Sequence, residues 1–201
     1  MHPFVIAPVS CAIPRTRRPV PSRPARGFTL VEGVVALALM GLLVATAMPS
    51  MSWFIDSVKL GSATDLFISG LNLARSEAIK RNRSVVLCKS AEGESCAATG
   101  GWEQGWIVFH DVNRNGLRDG AELVIRREQP LSAGLRLSGN QHVASYVSYA
   151  PTGVATLVGG AFQAGTLTLC RRSAERGEAR QIIINSGGRP RVQKASVDIC
   201  A

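Results

Sequence analysis

Apolar and polar positions fall into three regimes along the chain. From Phe28 to Ala47 the sequence runs FTLVEGVVALALMGLLVATA, with Glu32 as its only charged residue. As a helix, this stretch reaches across the roughly 30 Å of a hydrocarbon layer, so residues 28–48 are expected to form a transmembrane half-helix. Beyond Pro49, Phe54, Val58, Leu66, Leu71, Ala74 and Ala78 recur at roughly helical spacing, with Asp65, Arg75, Glu77 and Arg81 between them. That pattern predicts an amphipathic half over 49–83, its apolar face on a soluble domain and its end at Asn82. Pro49 removes a backbone bond and predicts a bend. After Arg83 the period shortens. The runs SVVLC, GWIVFHD, ELVIRRE, LRLSG, ASYVSYA, TLTLC and RQIIINS are separated by Gly-rich and Pro-Thr-Gly turns. They predict antiparallel strands over 84–201, in two sheets. The expected class is α+β.

Residues 1–27 are rich in Pro and Arg, show neither period, and read as a cleaved leader. Two cuts compete. A conventional secretory signal would be cut at Ala45-Thr46-Ala47, giving a soluble periplasmic protein beginning at Met48. A cut at Gly27–Phe28 would instead leave the helix attached. The second is favoured because a charge at mid-bilayer costs at least ~2.5 kcal/mol and is kept mainly where it finds a partner. Cleavage creates that partner. The new amine of Phe28 lies one turn from Glu32, and in an array of such helices one subunit's amine can meet its neighbour's carboxylate. The simpler role for Glu32 is to complement the helix N-terminus, worth ~0.3–1 kcal/mol.

The leader also changes the meaning of the charge. The chain totals +9, but Arg15, Arg17, Arg18, Arg23 and Arg26 lie before Gly27, which leaves 18 basic residues against 14 acidic ones. Residues 28–170 are neutral overall, so the excess sits in 171–201. Any polyanion site belongs there. Setting aside Cys11, the cysteines are Cys88, Cys96, Cys170 and Cys200, with no CxxC spacing to suggest zinc. In an exported domain they read as two disulfides. Of three connectivities, Cys88 with Cys96 and Cys170 with Cys200 is favoured, because each closes a local loop.

RGFTLVE at 26–32 resembles the cleavage and methylation signal of type IV prepilins and type II secretion pseudopilins. LARSEAIKRNRSVVLC at 73–88, GWIVFHDVNRNGLRDGAELVIR at 105–126, SYAPTG at 148–153 and IIINSGGRPRV at 182–192 are similar to landmarks of the GspH/FimT family of minor pilins and pseudopilins. The resemblance implies a type IV pilin-like fold, a long bent helix on antiparallel sheets. It also implies cleavage between Gly27 and Phe28 by a prepilin peptidase, N-methylation of Phe28 and assembly through Glu32 with other pilins or pseudopilins. The subunit would be held once in the bacterial inner membrane, its domain in the periplasm, before entering the filament.

Two strings outside the helix carry possible chemistry. DVNRNGLRDGAE, Asp111 to Glu122, matches a calcium-loop pattern with oxygen donors at Asp111, Asn113, Asn115, Asp119 and Glu122. Flanking strands and the charges of Arg114 and Arg118 favour a plain hairpin without metal. GRPR, Gly188 to Arg191, follows a Gly-rich turn. Its arginines can clasp phosphates without reading bases, with Arg171, Arg172, Arg176, Arg180 and Lys194 widening the patch if the Cys170–Cys200 bond ties its ends together. The element resembles the C-terminal GRxR of FimT-like minor pilins implicated in DNA uptake. His110 reads as a strand end. With only His110 and His142 beyond the leader and no nucleophile or phosphate-loop motif, the sequence points away from an enzyme and from any cofactor. The expected function is a FimT-like minor pilin binding DNA. The alternatives are a GspH-type pseudopilin of a secretion system and a periplasmic binding protein.

Overall fold

The computed structural model describes residues 27–173 and 176–200, without the side chains of 46–53. Residues 1–26 of the expected leader lie outside the described residues, as do the side chains around the expected bend at Pro49. Two compact units divide near Thr46.

In the first unit, α1 (Leu30–Arg81) begins. Thr29 caps it, its hydroxyl accepting from the Glu32 backbone N–H at 3.3 Å. Together with Glu32 in the first turn, this has the composition of a capping box. Leu30, Val31, Val34, Leu37, Leu39, Met40 and Leu42 are all exposed, so the helix is apolar around its circumference here. Described side chains of this run stop at Ala45. Among the described residues, no helix is long and apolar enough to cross a membrane.

Among the described residues, the second unit holds the remainder of α1 and eight antiparallel strands. β1 (Val85–Lys89), β2 (Trp106–His110), β3 (Val124–Glu128) and β5 (Tyr146–Tyr149) form one sheet in the order β3-β2-β1-β5. β4 (Leu135–Gly139), β6 (Gly165–Arg171), β7 (Gly177–Ile184) and β8 (Pro190–Val197) form the other, in the order β4-β6-β7-β8. All seven expected runs became strands. β8 extends the edge beyond them.

One core joins helix and sheets. Leu60, Ala63, Phe67, Leu71, Ala74 and Ala78 face Val85, Leu87, Trp106, Val108, Leu137, Val147, Leu167, Leu169 and Ile182. Phe67 stands edge-on to Trp102 and Trp106, with centroids 5.2 and 5.0 Å away, a favourable aromatic geometry. Part of the helix phase expected from sequence is corrected: Leu71, Ala74 and Ala78 are buried, but Phe54 and Val58 are exposed, and Leu60, Ala63 and Phe67 carry the contact. Apolar residues occur on several faces between 54 and 68, so periodicity alone leaves the phase open. The helix ends where expected. Asn82 takes φ 52°, its N–H bonds to the Ile79 carbonyl, and the Arg83 N–H reaches back to the Ala78 carbonyl. This is a Schellman cap with Asn in the left-handed position.

The disulfides pair as expected, Cys88 with Cys96 and Cys170 with Cys200. The first pins the 90–96 loop over the outer face of β1 and β2, where Val86, Ile107 and Phe109 form a small second core. The second sits at the far end of β6 beside Ala179 and Ala195.

Candidate nucleic-acid interface

The turn from β7 into β8 carries the GRPR element. Ile183 lies opposite Arg191 and Ile184 opposite Pro190. Within the turn, the Asn185 carbonyl accepts from the Gly188 N–H at 2.9 Å, and the Asn185 side chain accepts from the Arg189 N–H at 3.3 Å. Gly188 has φ 73° and is buried, and a Cβ there would run into the Gly153 carbonyl and approach Tyr149. Only glycine meets both demands. Gly153, in the Pro-Thr-Gly turn, is itself fixed from the helix, because Arg75 Nε donates to its carbonyl at 2.9 Å. SYAPTG and SGGRPR, far apart in sequence, therefore make one support, and Arg189 and Arg191 stand exposed on it. Neither motif announces this support by itself. Its signal was the pairing of a glycine in each motif, which only a fold can bring into contact.

Strand alternation divides the rest of the expected patch. Buried Ile182 and Ile184 belong to the helix-facing side of β7, whereas Ala179 packs with Ala195 on the other side. Arg191 lies on the side of Ala195. Lys194, opposite Arg180, points to the other face, so it does not extend the Arg189–Arg191 surface. Arg171 and Arg172 are also separated from it. Arg191 pairs with Ile183 and Ile183 with Thr166, and Arg171 lies five residues beyond Thr166, about 17 Å along the strand. The Cys170–Cys200 bond is at that distant end as well. It does not draw the patch together, which corrects the wider patch expected from sequence.

The arginines at the distant end are also paired. Arg171 Nη1 lies 2.5 Å from Asp56 on α1, and Arg172 Nη2 lies 3.3 Å from Glu103. Arg176 reaches Asp198 at 3.4 Å, and nearly buried Arg180 meets Glu178 at 2.5 Å. Among the described residues, Arg189, Arg191 and Lys194 have no ion-pair partner. The interface that geometry leaves available is therefore the short tip from Gly188 to Arg191.

The loop between β2 and β3 closes on itself. The Asp111 carboxylate accepts from the N–H groups of Asn115 and Gly116 at 3.1 and 2.9 Å. Glu122 accepts from those of Val112 and Asp119 at 2.7 and 3.0 Å. Asp119 takes the side-chain amides of Asn113 and Asn115, at 2.6 and 3.1 Å. Arg118 ties the loop to the Glu94 carbonyl at 3.0 Å. Burial pushes the Asp111 carboxyl above its usual range, and the backbone N–H groups of Gly116, Asn115 and Arg114 partly offset this. Among the described residues, no three His, Cys, Asp or Glu side chains gather as a metal site. His110 ends β2, with its imidazole held below the usual histidine range by burial and then by nearby Arg81.

Known proteins agree with this architecture. The prokaryotic N-terminal methylation motif matches residues 22–48. No curated protein matches in sequence. Crystal structures of the type IV minor pilin FimU of Pseudomonas aeruginosa share the fold. One crystal form gives a TM-score of 0.53 at 18% identity, covering 74% of this chain and 99% of that one. A second gives 0.50 at 18% identity, covering 71% and 100%. The minor pseudopilin EpsH of Vibrio cholerae matches with a TM-score of 0.45 at 14% identity, over 67% of this chain and 96% of that one. The family model described as type II transport protein GspH matches residues 63–188, most of the strand-rich unit, and the chain thus belongs to the GspH family of minor pilins and pseudopilins.

Proposed function

We propose that this chain is a minor subunit of a type IV pilus that holds DNA by its backbone at the tip formed by Gly188, Arg189 and Arg191. Prepilin peptidase cuts at Gly27–Phe28, Phe28 is N-methylated, and the helix keeps the subunit in the inner membrane until it joins other pilins. Exposed apolar side chains around the first turns of α1 support burial against lipid or neighbouring helices. In the filament, Glu32 meets the amine of an adjacent subunit. The role is structural and adhesive, not catalytic.

One observation carries the DNA reading: Arg189 and Arg191, unlike the arginines at the other end of their sheet, are exposed with no ion-pair partner among the described residues, at a tip braced by the Gly188–Gly153 contact. A braced turn fixes the backbone from which two guanidiniums reach phosphates, contacts that carry no base readout. The test is anisotropy with a labelled duplex. Arg189→Gln with Arg191→Gln should lower affinity at least about tenfold, equal to ~1.4 kcal/mol, with the thermal midpoint unchanged. Unaltered affinity would remove the DNA role. The match to type II transport protein GspH favours a second reading, a pseudopilin of a secretion system. In that reading, loss of the gene stops export of folded proteins while DNA uptake continues.

A further inference from the structure

A second positively lined feature lies where α1 hands over to β1. A cavity of about 310 Å³ is walled by Arg81, Arg83, Ser84, His110, Asp111 and Arg114. Arg81 is engaged, with its Nε 2.5 Å from Glu77. Arg83 and Arg114 are exposed and have no ion-pair partner among the described residues. Asp111 forms part of the wall, but its oxygens are turned toward the N–H groups of Asn115 and Gly116. The last carbonyls of α1 are likewise occupied by the Schellman cap, which blunts the negative end of the helix.

Two further details suggest a ligand. His110 is 7% exposed, and its Nε2 is buried with no hydrogen-bond partner among the described residues. Such a group costs about 1–3 kcal/mol unless something satisfies it. Arg114, moreover, adopts φ 60°. A non-glycine residue in that region is uncommon, and the turn that imposes it sets Arg114 in the cavity wall.

We propose that this cavity binds a phosphate group, with Arg83 and Arg114 as charge-assisted donors and with the His110 ring, whose Nε2 is enclosed in the free protein, turning to donate from Nε2–H when the ligand is bound. Its ligand is either free phosphate or the phosphodiester of a nucleic acid. The site is independent of the Arg189–Arg191 tip and does not rest on the DNA reading.

The test follows the His110 imidazole by NMR in purified full-length protein, with His2→Gln and His142→Gln used to assign the signals. Inorganic phosphate, a short oligonucleotide and chloride at matched ionic strength are titrated separately. Saturable movement of the His110 signal with phosphate, and none with chloride, is expected. Arg83→Gln with Arg114→Asn should weaken it at least about tenfold; Asn tolerates the left-handed backbone at 114. A response to phosphate alone identifies the small ion as ligand. A response to the oligonucleotide that survives Arg189→Gln with Arg191→Gln identifies the phosphodiester. No movement with either ligand, or movement unaffected by the double substitution, overturns the proposal.

Discussion

Both ends of the β4-β6-β7-β8 sheet are rich in arginine, yet the two ends use it differently. At the end near the Cys170–Cys200 bond, Arg171, Arg172, Arg176 and Arg180 each face a carboxylate, from Asp56, Glu103, Asp198 and Glu178. At the other end, Arg189 and Arg191 have no ion-pair partner among the described residues and rest on a contact between two glycines. A local excess of positive charge thus marks where to look for a polyanion site, while pairing and strand register decide which charges remain free to serve it.

The largest expected effect comes from breaking the support of the free end. Gly188→Ala imposes a left-handed backbone on alanine and drives its Cβ into the Gly153 carbonyl. Together these should cost about 2–4 kcal/mol of stability. DNA affinity should also fall, because Arg189 and Arg191 lose their fixed position. Ala at 188 with unchanged melting and binding would show that the tip is not braced as described.

An intermediate effect separates the ends directly. Arg171→Gln with Arg172→Gln should leave DNA affinity within about twofold and lower stability by less than ~1 kcal/mol per exposed ion pair. In the parent protein, two engaged phosphates give a slope of log affinity against log salt of about −1.8 on duplex DNA. A much steeper slope, flattened by the Arg171 and Arg172 substitutions, would mean that the distant end also binds.

Much of this architecture was legible in the sequence because it is local. Short runs rich in β-branched and aromatic residues between turn signals, such as GWIVFHD, mark strands, Asn82 marks the end of a helix, and loops of short separation made the disulfide pairing readable. What could not be read depends on contacts between distant positions. Arg171 meets Asp56 across 115 residues and Arg172 meets Glu103 across 69, and no pattern in either segment announces the partner. Gly188 and Gly153 each looked like an ordinary turn glycine. The phase of α1 near Phe54 was ambiguous because apolar residues lie on several of its faces. The tip residues Arg189 and Arg191 were legible as a motif. That Lys194 faces away from them follows from register, which becomes decisive only once β8 is known to pair with β7.

The smallest effect asks whether pairing or position silences the distant end. Arg171 and Asp56 lie 2.5 Å apart with side chains 62% and 27% exposed, so water screens the pair and its removal should change stability by less than ~1 kcal/mol. Asp56→Asn removes the carboxylate but keeps a polar side chain of nearly the same shape, freeing Arg171 without opening a cavity. On a duplex long enough to reach both ends of the sheet, a freed Arg171 can engage one more phosphate, which would steepen the salt slope by about 0.9 and raise affinity modestly at low salt. On an oligonucleotide too short to cover the ~17 Å between Arg191 and Arg171, the same substitution should change nothing. If the long duplex shows no change either, pairing with Asp56 is not what keeps Arg171 from DNA. Its location on the sheet then becomes the cause, and the binding surface ends at the turn.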